Sequence, residues 1–244
     1  MRIVDAASFA LVVVALALSI WQLLAARRQT KKLAVVTASL STRYLGSFPH
    51  YVPELTSLLQ RVQRELLILS TLHSHGAFSD PDGWLSIKHA IEDALSTRRR
   101  VRVSCVFGNP EQRRNLLKDQ FKEDFTDWLS WSQNPSVKTK LETFLHKLGV
   151  KVSVDALNPD RFVELDNEIA HREMATTYRG ANVVEVNDRL PIWMWVADGK
   201  EAVLVIPKTS PAFDAQAFWT ADGRLIGAMK NIHEEYQTRG LRQD

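Results

Sequence analysis

The feature that most constrains this chain is an uncharged apolar run from Ala6 to Ala26, AASFALVVVALALSIWQLLAA, bounded by Asp5 and Arg27. At a rise of about 1.5 Å per helical residue, roughly 20 residues cross a hydrocarbon core of about 30 Å. Ser8, Ser19 and Gln22 are tolerable there, because each can bond to its own helix backbone or sit near an interface. Trp21 stands near the C-terminal end of the run, where an amphipathic ring suits the headgroup zone. A buried core helix of this length would normally keep a polar face. A cleaved signal peptide would need a basic leading segment, and only Arg2 precedes the run, set against Asp5. The expectation is one transmembrane helix, a permanent anchor within residues 1–28.

Orientation follows from the flank. Arg27, Arg28, Lys31 and Lys32 crowd the C-terminal side of the run, so the rest of the chain is expected on the cytoplasmic face, most simply of a bacterial inner membrane. Near a surface of anionic lipid each such cation gains about 1 kcal/mol, which makes membrane lipids the first expected partner. Residues 29–48 carry a weak helical pattern to about Leu45 and read as a juxtamembrane linker helix, ended by Pro49 and Pro53.

The remainder, residues 49–244, is long enough for one domain with its own core. The net charge is only +3, part of it in the membrane flank, so composition carries no strong nucleic-acid signal. Arg98-Arg99-Arg100 falls between a helix pattern and a strand pattern and reads as a solvated turn. Cys105 is the single cysteine, which excludes an intrachain disulfide and a cysteine-based zinc site. The seven histidines show no metal spacing such as His-Glu-x-x-His, and His73 and His75 fall in a polar loop. No metal and no cofactor is expected.

The periodicity alternates. A helix opens at Pro53-Glu54, with Leu55, Leu58, Leu59, Val62 and Leu66 at helical spacing. Leu66 to Thr71 reads as a buried strand, Leu72 to Gly83 as a loop, and Trp84 to Leu95 as a helix. Val101 to Phe107 alternates as a strand. Helices are predicted over about Glu111 to Trp131, over Lys138 to Leu148, and over Arg161 to Tyr178 with Phe162, Leu165, Ile169 and Met174 inward. Val150 to Val154 and Val183 to Val186 read as short strands. Ile192 to Ala197 and Ala202 to Ile206 read as a hairpin over Asp198-Gly199. A final helix capped by Thr220 is predicted through about Gln237, with Leu225, Ile226, Met229, Ile232 and Tyr236 inward. Strands alternating with helices indicate a layered α/β fold around a mixed sheet.

The hairpin PIWMWVADGKEAVLVIP, taken with the strand LLILST, the helix WLSIKHAIEDAL and the strand VRVSCVF, resembles the phospholipase D-like superfamily. The resemblance runs from about Pro49 to Tyr236 and implies a mixed sheet flanked by helices. In that family the hairpin carries His-x-Lys-x4-Asp followed by Gly. The His attacks a phosphodiester phosphorus, the Lys stabilises the oxyanions, and two such motifs usually meet at one site. Here the Asp falls on Asp198 and the Gly on Gly199, but the His position holds Pro191 and the Lys position Trp193. Proline has no nucleophile and tryptophan no cation, so the family chemistry does not transfer to this hairpin.

Other residues are candidates for chemistry. His171 and Glu173 are the weak catalytic candidates, although Glu173 stands where a cation would belong. Trp193 and Trp195 alternate on a strand and so share a face. Together with Asp198 they are the ligand-binding candidates, either a stacking platform or an apolar filling of the former pocket. The leading reading is a membrane-anchored, non-catalytic phospholipase D-like domain that senses or recruits. The resemblance implies a homodimer, and a phosphorylated ligand or a protein partner is expected. The alternatives are a membrane-bound phosphodiesterase with a non-standard site and a structural membrane adaptor.

Overall fold

A computed structural model describes residues 41–71, 80–96, 101–117, 132–147, 149–207 and 215–242. The expected anchor, its flanking Arg27, Arg28, Lys31 and Lys32, and most of the expected linker helix lie outside the described residues. Among the described residues no helix is long and apolar enough to cross a membrane. Residues 43–244 form one compact unit.

Seven strands make one mixed sheet: β1 (Thr42–Ser47), β2 (Glu65–Ser70), β3 (Arg102–Gly108), β4 (Asn182–Val186), β5 (Trp193–Ala197), β6 (Glu201–Ile206) and β7 (Gln216–Thr220). Their spatial order is β1-β7-β6-β5-β2-β3-β4. β2, β3 and β4 run parallel, whereas β5, β6 and β7 join as antiparallel neighbours beginning at β2. The helices are α1 (Val52–Arg61), α2 (Pro81–Leu95), α3 (Pro135–Lys147), α4 (Pro159–Ala175) and α5 (Gly223–Gly240), with a further helical segment at residues 110–117. This is the expected sheet flanked by helices.

Strand alternation sorts the core into layers. Leu66, Ile68, Val103, Cys105, Phe107, Trp193, Trp195, Val203 and Val205 point to one face, where Leu55, Leu58 and Leu59 of α1 and Ile87 and Ile91 of α2 cover them. Leu67, Leu69, Val106, Val184, Met194 and Val196 point to the other, under Ile226 and Met229 of α5. A third cluster has no strand in it: Trp84 of α2, Leu141, Phe144 and Leu145 of α3, and Phe162, Leu165 and Ile169 of α4 pack on each other.

Four local expectations are corrected. Val150 to Val154 is not a strand: residues 150–153 are irregular and Val154–Ala156 is a 3-10 turn. The strand position beside β3 is taken by β4, and Val150 and Val154 enter the helical cluster instead. The backbone there bonds to α3, Val150 N to Leu145 O at 2.8 Å. Pro81 and Gly83 belong to the first turn of α2 and not to a loop, because Asp80 caps it, Oδ1 accepting from Gly83 N at 3.1 Å. A Cβ at Gly83 would lie 2.1 Å from Asp80 Oδ2, so a larger residue there would displace the capping carboxylate from this position. Asp222, not Thr220, caps α5, accepting from Arg224 N at 2.8 Å and Leu225 N at 3.0 Å. Thr220 ends β7, a strand without a clear alternation signal, and residues 42–45 of the expected linker helix are part of β1. Tertiary contacts override the local pattern at β1: Arg43 pairs with Glu54 at 2.5 Å and lies over the Trp219 ring, and Tyr44 meets Phe218 with ring centroids 5.5 Å apart.

The β5–β6 turn is fastened to the start of β2. Asp198 and Gly199 take φ of 53° and 63°, the left-handed values of a type I′ turn, and Lys200 N donates to Ala197 O at 2.9 Å. The Asp198 carboxylate accepts from three consecutive backbone groups, Gln63 N at 3.0 Å, Arg64 N at 2.7 Å and Glu65 N at 3.0 Å. Burial opposes its ionisation, but these donors and nearby Lys200 outweigh burial and hold its pKa below the usual Asp value. We expect Asp198→Ala to lower stability by about 1–3 kcal/mol in urea denaturation, since three donors lose a charged acceptor. A carboxylate with a depressed folded pKa contributes fully above its unfolded pKa of about 3.9 and less as pH falls below it. The stability gap between wild type and Asp198→Asn should therefore narrow below about pH 4; a gap independent of pH would contradict this role.

Candidate functional site

In open α/β sheets, ligands sit outside the carboxyl ends of the parallel strands. Here that end is formed by Ser70 closing β2 and Thr71 after it, Gly108 closing β3, Val186 closing β4 and the entry to β5 at Pro191 and Trp193. Gly108 is glycine for a reason of space, since a Cβ there would lie 2.9 Å from the Thr71 methyl. Trp193 is 3% exposed and its indole Nε1 donates to Thr71 Oγ1 at 3.3 Å. The ring thus stands in the core with its one polar atom matched. Trp195, two residues on, is 4% exposed in the same layer. The strand does place both on one face, but that face is the covered one, so neither ring is open to a ligand.

Asp198 lies at the other end of β5, five residues and roughly 16 Å from Trp193 at about 3.3 Å per strand residue. It does not share a pocket with the tryptophans. Its carboxylate is committed to the backbone of the α1–β2 junction.

The catalytic candidates part in the same way. His171 is exposed on α4, whereas Glu173 is buried. Two positions on a helix differ by about 200°, so the pair cannot converge on one atom. Glu173 instead accepts from Lys88 Nζ of α2 at 2.8 Å and from the Thr177 hydroxyl, and Lys88 also lies 5.4 Å from the Trp84 ring centroid. This half-buried ion pair ties α2 to α4. Cys105 is fully buried, and burial pushes its thiol far above the usual range, away from nucleophilic form. Among the described residues no group of His, Cys, Asp and Glu could hold a metal ion.

A concavity lies at the amino ends of β2, β3 and β4, beneath the C-terminal half of α5. It is an open groove of about 520 Å³, lined by Glu65, Leu67, Arg102, Ser104, Asn182, Lys230, His233 and Gln237 among others. Register explains the floor: Leu67 pairs with Ser104 and Ser104 with Asn182, so the three form one row, with Glu65 opposite Arg102 in the next. Lys230, His233 and Gln237 form the helix wall at i, i+3 and i+7. His233 is 1% exposed with Nε2 3.2 Å from Ser104 O, and Gln237 Nε2 donates to Ser104 Oγ at 3.1 Å. Lys230 and Arg102 each reach a Glu65 oxygen at 3.4 Å. Sequence reasoning missed this group. The helical spacing of the polar stripe was visible, but it reads as the solvent side of α5 until the sheet beneath is known.

Trp193→Ala should cost about 3–5 kcal/mol, and Thr71→Val, which removes only the acceptor, about 1 kcal/mol. Urea midpoints check both, and a Trp193→Ala protein as stable as wild type would show a ring that is not held in the core.

No protein-family model matches this chain, and no curated protein matches it. Among solved structures it is similar to TrmBL2, an archaeal chromatin protein with a novel mode of DNA binding, at 12% identity and a TM-score of 0.39, over 88% of this chain and 61% of that one. It is similar to NucT from Helicobacter pylori at 10% identity and a TM-score of 0.40, over 82% of this chain and 95% of that one. It is also similar to Nuc from Salmonella typhimurium, a phospholipase D family member, at 8% identity and a TM-score of 0.38, again over 82% and 95%. The chain thus spans about three fifths of the chromatin protein.

Proposed function

We propose that this chain is a membrane-tethered, non-catalytic module with a phospholipase D-like fold, which recruits or senses a partner at the cytoplasmic face of the membrane. One observation carries the reading. Where the resemblance puts the nucleophile and the phosphate-binding cation stand Pro191 and Trp193, and the indole is buried with its N–H on Thr71. A site for phosphoryl transfer needs a nucleophile and positioned cations facing open space. Filling that position with a hydrogen-bonded ring removes both the charge and the room. Dense packing at Trp193 also favours partner recruitment over an anion bound at this position. The tether rests on the run from Ala6 to Ala26 and its basic flank.

The full chain, purified in detergent, should not hydrolyse bis(p-nitrophenyl) phosphate above the buffer rate, and His171→Ala should change nothing. Turnover abolished in His171→Ala would establish the phosphodiesterase alternative with that nucleophile; turnover in both proteins would establish it with another. In cells, the full chain should stay with the membrane pellet through alkaline carbonate, which strips peripheral proteins. Release into the supernatant would remove the tether from the proposal and leave the non-catalytic reading in place.

A further inference from the structure

The cavity beneath α5 has walls that packing alone does not require. Nearer the middle of the sheet, the same helix and strands meet through Ile226, Met229, Leu69, Val106 and Val184, an apolar layer. One row toward the amino ends, both walls turn polar at the same level. Ser104 lies between Leu67 and Asn182 on the floor, and Lys230, His233 and Gln237 face this row from the helix. Two faces that only had to meet would bury apolar groups on both sides. Burying an imidazole carries a desolvation cost. That burial lowers the His233 pKa, against the carbonyls of Ser104 and Ile68 and the charges of Glu234 and Glu65.

The lining also indicates what would fit. Its fixed charges balance: Arg102 and Lys230 both pair with Glu65, and Glu234 supplies a second carboxylate. A neutral ligand suits such walls better than a phosphate or an ammonium ion. The bond from Gln237 to Ser104 uses half of each group. The amide oxygen of Gln237 is left to accept and the Ser104 hydroxyl hydrogen to donate. Turning the amide over exchanges the two roles, and the pair still offers one donor beside one acceptor. The partner for adjacent donor and acceptor groups is an amide edge, N–H beside C=O. Leu67 adds an apolar patch for a flat ring, and the volume falls in the range of about 300–1,000 Å³ common to small-molecule sites.

We propose that this cavity binds a neutral nucleobase or nucleoside carrying a ring lactam, of the uracil or hypoxanthine kind, with Gln237 and Ser104 reading the lactam edge. His233 is a positioning residue, holding the backbone of β3 at Ser104. The inference goes beyond the recognition module proposed above and depends neither on the tether nor on the state of the Trp193 end of the sheet.

The test is calorimetric titration of the full chain in detergent with uridine and inosine, and with 3-methyluridine and 1-methylinosine, whose lactam N–H is blocked. Wild type should bind uridine or inosine, and N-methylation should weaken that ligand roughly tenfold or more, because a buried acceptor is left unmatched. Gln237→Leu and, independently, Ser104→Ala should do the same while circular dichroism and the urea midpoint confirm folding. Failure of both nucleosides to bind wild type at millimolar concentration would overturn the inference. Equal binding of the methylated forms, or unchanged affinity in both folded variants, would also overturn it. The phosphodiesterase assay reads the other end of the sheet, so turnover there would sink the non-catalytic reading and leave this one standing.

Discussion

The structure depends on how the β5–β6 hairpin is held against β2. β2 is the strand at which the sheet changes character, with parallel β3 on one side and antiparallel β5 on the other. Where α1 hands over to β2, three consecutive backbone N–H groups point out of regular structure and need acceptors. One carboxylate, that of Asp198, takes all three. It can do so only because the turn places Asp198 in the left-handed region, which aims its side chain across to Gln63–Glu65. The same turn sets the register in which Ala197 meets Leu66 and Trp195 meets Ile68. Apolar faces on both sides of the sheet follow from that register, since a slip of one residue would exchange them.

The two ends of the sheet divide the chemistry. At the carboxyl end, residues that could have carried a site are used for packing: Trp193 is matched to Thr71, and Gly108 admits Thr71 closely. At the amino end the polar side chains outnumber what packing calls for, and they line a concavity. The helical cluster of α2, α3 and α4 is a separate body of core, with the Lys88–Glu173 pair as its polar link. A half-buried pair of this kind is poor evidence for added stability, because desolvation offsets the attraction; removing one partner is what costs. It gives the buried carboxylate of Glu173 its partner.

How much was legible in the sequence differs from element to element. The continuous apolar run LLILST and the alternation of VRVSCVF located β2 and β3 within a residue, because each is buried on both faces or paired on both edges. The Asp-Gly turn placed the β5–β6 hairpin for the same local reason. β7 was not legible: QAFWT is short, and its strand state comes from pairing with β6 at Leu204 opposite Phe218. VKVSV misled in the opposite direction, because its alternation is real but its valines face helices. At the candidate site, adjacency along one strand put Trp193 and Trp195 on one face, yet could not say that the face is covered.

The sequence by itself determined the apolar N-terminal run, the alternation of strands and helices, the turn at Asp198-Gly199 and the presence of Pro191 and Trp193 ahead of that turn. Each of these is a matter of residue type and local spacing, and needs no partner element to be read. Only the tertiary structure decided which strands are neighbours, which tryptophan face is closed, and that Asp198 serves the backbone of a segment far away in sequence. It also decided that Lys230, His233 and Gln237 look inward, over Ser104 and Asn182. The physical reason is that burial belongs to a pair of surfaces. A helix stripe or a strand face has a period that one segment carries alone, but whether it meets water, apolar core or a polar cavity depends on what the rest of the chain sets opposite it.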